Sequence, residues 1–270
     1  MQPGISSFAF GWAVQLGRPP MDELGVVEFA RRHGVRVVQL GDNLPVHQMS
    51  SERRTALLQA AKAAGIQLEL GARGLTEAHL ETYLNRCREL GSSLLRFVVD
   101  SAGYEPSVFE LADLLTNAAP TLKAAQVTLA IENHDRFPAA ALFAAVKGLE
   151  PHVGICLDTA NSFGAGEGLV HVADHLVPVT VNLHVKDVTI RRLPHQQGFT
   201  IQGCRLGEGQ LPIRELLVRM RGLGYRGSVI LESWWPPGPD DTATVAGELA
   251  ATEAGIETLK EWLQVPAATA

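Results

Sequence analysis

Eight short runs rich in Val, Ile and Leu alternate with eight helix-like stretches from one end of the chain to the other, and this limits the folds open to it. The strand-like runs are Ile5–Phe10, Val35–Gly41, Ile66–Leu70, Leu94–Val99, Val127–Glu132, Val153–Asp158, Thr180–Val185 and Val229–Glu232. Most lack strict polar alternation, as parallel strands buried on both faces do. Between them the pattern predicts helices over Met21–His33, Ser51–Ala64, Glu77–Leu90, Pro106–Ala125, Ala139–Leu149, Leu169–Leu176, Ile213–Leu223 and Thr244–Leu263. Gly34 and Gly65 stand where helices should stop, and Thr76 before Glu77 has the makings of an N-cap. A single (β/α)8 (TIM) barrel spanning 1–270 accounts for this order and for the length of 270 residues. An open doubly wound sheet would carry a glycine-rich dinucleotide loop after its first strand, and none is there. The closing PAATA is expected to fray.

Composition narrows the partners. A formal net charge of −6 gives no basic footprint for nucleic acid. The chain has no 18-residue apolar run, and MQPGISSFAF lacks a signal peptide's basic start and apolar core. The three cysteines are odd in number and far apart, which speaks against a disulfide framework. A cytoplasmic protein without a membrane partner is expected.

Four of the runs end in a group that can hold a divalent cation. They read VTLAIEN with Glu132, VGICLDT with Asp158, TVNLHVKD with His184 and GSVILESW with Glu232. The first three lie 26 residues apart and the fourth follows after 48. One strand–helix unit takes about 25–30 residues, so the spacing suggests one ligand per unit. Singly, Asp158 could cap a helix, Glu132 could pair with an arginine, and His184 could be a satisfied interior residue. Together they sit where strand ends of a barrel converge, and a shared cation would relieve the desolvation of all of them. Three oxygen ligands and one nitrogen suit Mn2+, Mg2+ or Co2+ ahead of Zn2+.

These residues resemble the ligand set of the xylose isomerase-like barrels, the sugar phosphate isomerases and epimerases. Their relatives include ketose 3-epimerases, dehydratases and abasic-site endonucleases. The resemblance implies that Glu132, Asp158, His184 and Glu232 bind the metal and that Glu132 and Glu232 also move protons. The chain departs from many members at Asp158-Thr159-Ala160-Asn161, where Asp-x-x-His is common. It also has His184-Val185-Lys186-Asp187 where epimerases often continue with Gly-Glu. That form looks like dehydratase-type members. The stretch RRLPHQQGF followed by GCRLGEG is similar to a subgroup that includes 3-oxo-sugar-acid decarboxylases.

The reading is therefore a metal-dependent sugar isomerase or epimerase, shifting protons through an enediolate that the cation stabilises. The alternative is a lyase of the same family, a 3-oxo-sugar-acid decarboxylase or keto-sugar dehydratase, which passes through a related enolate. An abasic-site endonuclease or a non-catalytic sugar sensor are minor alternatives. The substrate would be a small sugar, sugar acid or sugar phosphate. Substrate contacts are expected from Asn133, His134, Asn161, Lys186 and Asp187, and from Arg191 and His195 in the long segment after strand seven. Trp12 and Trp234 would pack against a sugar ring. The resemblance leaves room for a homo-oligomer, because family members are often dimers or tetramers.

Overall fold

A computed structural model describes residues 1–18 and 21–264, and the PAATA tail lies outside the described residues. Its parallel strands are β1 (Gln2–Ser6), β2 (Val37–Leu40), β3 (Gln67–Arg73), β4 (Leu94–Val98), β5 (Thr128–Glu132), β6 (Val153–Asp158), β7 (Thr180–Val185) and, after a hairpin, β10 (Ser228–Leu231). They close in the order β1-β10-β7-β6-β5-β4-β3-β2, so every strand of the barrel is paired on both sides. Outside lie α1 (Gly11–Leu16), α2 (Glu23–Arg32), α3 (Ser51–Ala64), α4 (Glu77–Leu90), α5 (Val108–Ala125), α6 (Ala139–Val146), α7 (Leu169–Leu176), α8 (Ile213–Gly222) and α9 (Asp241–Gln264). The alternation read from the sequence is thus a (β/α)8 barrel. No helix among the described residues is long and apolar enough to cross a membrane.

The caps behave as their chemistry requires. Thr76 accepts a hydrogen bond from the His79 backbone N–H at 3.2 Å. Gly65 ends α3 at φ 64°, a conformation that costs glycine little.

Two segments fold differently from the reading. The first strand lies at Gln2–Ser6, not Ile5–Phe10. Ser6 Oγ accepts from the Phe8 N–H and turns Ser7–Phe10 into a 3-10 turn, which feeds the unforeseen α1. The segment after β7 is a hairpin of β8 (Asp187–Arg192) and β9 (Phe199–Cys204), paired from Asp187↔Cys204 to Arg192↔Phe199. Its mixture of polar and apolar residues suits an antiparallel pair with wet faces rather than a buried strand.

The barrel strands do alternate, but between outward apolar and inward polar or small residues. Along β7 Asn182 and His184 face in while Leu183 and Val185 join the core beneath the helices. Gln39 on β2 hydrogen-bonds Asn182 on β7 at 3.0 Å, a contact across two intervening strands that only the interior allows. The inward positions are small where strands crowd. A Cβ at Gly154 on β6 would lie 2.8 Å from the Val179 carbonyl oxygen and 2.6 Å from Val181 Cγ1. Gly154→Ala is therefore expected to lower stability by about 1–3 kcal/mol in chemical denaturation. An unchanged midpoint would show that β7 gives way there without cost.

Candidate metal centre

Glu132 and Asp158 end β5 and β6, His184 lies near the end of β7, and Glu232 directly follows β10. Parallel strands point the same way, so these ends meet at one mouth of the barrel. One ligand atom from each of the four residues lies within 4.8 Å of the others, and all four residues are buried. Three carboxylates at such range repel one another strongly, and the structure answers with two buried cations. Lys186 Nζ stands 2.8 Å from Glu232 Oε2 and 2.9 Å from Asp158 Oδ2. Arg96, on β4, puts Nε 3.1 Å from Glu132 Oε2 and Nη2 3.9 Å from Glu232 Oε1.

These neighbours set the protonation states. Burial pushes the Glu132 carboxyl up, but Arg96 and His184 outweigh it and hold the group well below the usual carboxylate range. Glu232 is likewise lowered against burial, chiefly by Lys186 and His184. Asp158 moves the other way: burial, with Glu132 and Glu232 nearby, raises it despite Lys186. Burial works against the Lys186 ammonium, yet Asp158 and Glu232 raise its pKa and keep it charged.

The four residues nevertheless retain unused lone pairs. Glu132 Oε2, Asp158 Oδ2, His184 Nδ1 and Glu232 Oε1 are buried without a hydrogen-bond partner, since the nearby cations miss hydrogen-bond geometry. Buried polar atoms are normally satisfied, and a divalent ion bound among these four would satisfy all of them at once. The imidazole is prepared for one. Gln39 Nε2 donates to Glu69 Oε2 at 3.1 Å and to Asn182 Oδ1 at 3.0 Å, which turns its Oε1 toward His184 Nε2 at 2.7 Å. Nε2 therefore carries a ring proton, and Nδ1 is the nitrogen turned toward the carboxylates, 3.2 Å from Glu232 Oε1 and 3.4 Å from Glu132 Oε1, where a bound cation would meet it. Glu69 anchors the chain below, accepting also from Ser228 Oγ at 2.6 Å, and burial raises its carboxyl. The donor set and its open lone pairs fit a divalent ion.

Above the ligands is a cavity of about 280 Å³. Glu132, Glu232, His134, Asn161, Lys186 and Trp234 from the sequence reading all line it, together with Arg96, Arg73, Asp42 and Phe8. Asn161 Nδ2 donates to Glu132 Oε1 at 2.8 Å, and Lys186 Nζ lies 5.0 Å from the centre of the Trp234 ring. Other residues of that reading lie elsewhere. Asn133 is buried below the cavity, donating to Asp158 O and Ser162 Oγ and accepting from the Asp158 N–H. Asp187 is a turn cap, its carboxylate accepting from the N–H groups of Val188, Gly207, Gly209 and Leu211. That contact also explains the Gly207-Glu208-Gly209 turn, because a Cβ at Gly209 would collide with Asp187. Arg191 and His195 sit exposed on the hairpin and line no cavity described for the site. Trp12 lines a second, outer cavity.

The sequence reading passed over Gln39, Arg96 and Arg73. A charge inside Leu94-Leu95-Arg96-Phe97-Val98 is a usable signal, because a buried arginine needs a buried partner. Gln39 gives none without knowing which way β2 faces.

Residues 27–263 match the family described as xylose isomerase-like TIM barrel. The 3-oxo-isoapionate decarboxylase of Pectobacterium atrosepticum is 33% identical over 238 residues, covering 87% of this chain and 86% of that protein. Among solved structures, D-psicose 3-epimerase with D-tagatose from Clostridium cellulolyticum H10 superposes with a TM-score of 0.71 at 17% identity, covering 98% of this chain and 99% of that one. A xylose isomerase-like TIM barrel protein from Mycobacterium smegmatis in complex with magnesium gives 0.64 at 12%, covering 87% and 89%. Identities this low establish a shared fold alone.

Gln39→Met should weaken Mn2+ binding to the metal-stripped protein by roughly 10–100-fold in titration calorimetry. Unchanged affinity would show that the imidazole holds its orientation without Gln39.

Proposed function

This chain belongs to the xylose isomerase-like TIM barrel family, and from that premise we propose that it is a divalent-metal-dependent lyase releasing CO2 from a 3-oxo sugar acid. The observation that carries the reading is the charge balance of the buried groups. Glu132, Asp158 and Glu232 bring three negative charges, Arg96 and Lys186 two positive, and His184 as a ligand is neutral. A bound divalent ion would leave one positive charge in excess among these groups, and Arg73 and Asp42 on the same cavity wall pair at 3.1 Å and cancel, so the balance favours an anionic substrate over a neutral sugar. The 33% identity to a decarboxylase of an oxidised sugar supports the same choice. Proton exchange between Glu132 and Glu232, the isomerase reading, uses the same cavity without needing that charge.

When bound, the ion held by Glu132, Asp158, His184 and Glu232 would supply Lewis-acid polarisation of the substrate carbonyl. Arg96 and Lys186 bind and orient the substrate carboxylate. The bond between the carboxylate carbon and its neighbour breaks, CO2 departs, and the electron pair is left as an enolate. Lys186, the charged donor lining the cavity, then gives its Nζ proton to the carbon that lost CO2. Asn161 holds Glu132 in place through its hydrogen bond. Trp234 lines the cavity with its ring centre 5.0 Å from Lys186 Nζ.

The test uses the Mn2+-loaded protein with a panel of 3-oxo sugar acids and the corresponding ketoses in D2O. CO2 release with one deuterium in the product is expected. Deuterium exchange into a ketose without CO2 would replace this reading with the isomerase. Lys186→Met should cut CO2 release by roughly 100-fold or more. Retained activity would remove Lys186 as the proton donor.

A further inference from the structure

The outer cavity, about 840 Å³, lies beside the catalytic one, with Phe8, Ser233 and Trp234 lining both. The inner space of about 280 Å³ suits one small sugar acid. The larger space therefore has no use in the reaction as proposed. Trp12, Trp234 and Trp235 line it, and the amides of Gln15, Asn43 and Gln202 stand among them. Indole faces beside side-chain amides suit a sugar ring, whose C–H faces pack on aromatics while its hydroxyls hydrogen-bond.

Charge separates the two cavities. No Lys, Arg or His is among the described residues that line the outer one. Its one carboxylate, Glu248, is occupied in accepting the Trp12 and Ala13 backbone N–H groups at 2.8 and 2.9 Å. An anion gains nothing in this space, and an uncharged ring does.

The aromatic lining is also held in place before any ligand arrives. Trp12 Nε1 donates to the Trp235 carbonyl at 2.7 Å. Gly247 packs under the Trp235 ring, where a Cβ would lie 2.7 Å from Nε1, and a Cβ at Gly203 would collide with the Trp234 backbone. A pre-set aromatic lining loses little entropy on binding.

We propose that the outer cavity is a binding subsite for an uncharged sugar ring, so that the substrate is a sugar acid bearing a second, neutral sugar. The substrate class rests on the anionic reading of the inner site; the subsite itself rests on the outer lining.

Calorimetry of the Mn2+-loaded protein with gluconate and with lactobionate, the same acid carrying an uncharged galactose, separates the two claims. Lactobionate is expected to bind roughly tenfold more tightly than gluconate. Trp12→Ala should bring the ratio of the two affinities toward one, and Trp12→Phe should keep most of it. Because Trp12 also braces Trp235, Ile201→Asp provides a second variant, since Ile201 lines the outer cavity from the exposed hairpin, and it too is expected to lower the ratio. Equal binding of the two acids, or a ratio unmoved by Trp12→Ala and Ile201→Asp, overturns the subsite and leaves the inner anion site standing. Binding of neither acid overturns both.

Discussion

Three carboxylates and an imidazole held within 4.8 Å of one another in a buried barrel mouth form the constraint that the rest of the molecule answers to. Such a cluster is unstable on its own, because each carboxylate loses its water and faces like charge. Lys186 and Arg96 are the resident compensation. They leave selected lone pairs unengaged, as a site must if it is to exchange a cation and a substrate. The barrel suits the task because eight strand ends deliver side chains from distant parts of the chain to one small volume, with the β-ladders fixing their relative heights. The Asp158↔His184 pairing in register is a direct instance.

Much of this was legible in the sequence. Ser51–Ala64, Glu77–Leu90, Val153–Asp158 and Thr180–Val185 match the expected bounds, because caps, helix-ending glycines and short Val-, Ile- and Leu-rich runs mark them sharply. The gathering of Glu132, Asp158, His184 and Glu232 was legible because each stands at or next to the end of a strand-like run, a position where a titratable group needs a reason. The hairpin was not. Its polar and apolar residues carry no core signal, and its pairing depends on partners seven to seventeen residues away. For the same reason Arg191 and His195 read as substrate contacts, although the hairpin holds them out in solvent. The cations beside the ligands instead come from β4 and from the residue after β7.

Asn133 and Asp187 show a related limit. Both neighbour a proposed ligand or cavity residue in sequence, but successive strand residues point to opposite sides. Asn133 consequently ties β5 to Asp158, and Asp187 gathers four backbone N–H groups into the turn that ends the hairpin. Proximity in sequence identifies the strand end without identifying the side of it.

The close seat of Gly203 against the Trp234 backbone has an effect that reaches beyond local packing. It seats the hairpin directly against the segment after β10, so two excursions separated by some thirty positions share one packing contact. A change introduced on the hairpin's outer strand would be transmitted to the indole above Lys186 without altering any residue that touches the ligand quartet. Variation in the most solvent-washed part of this fold could thereby retune which molecules are admitted, while the chemistry underneath stays as it was.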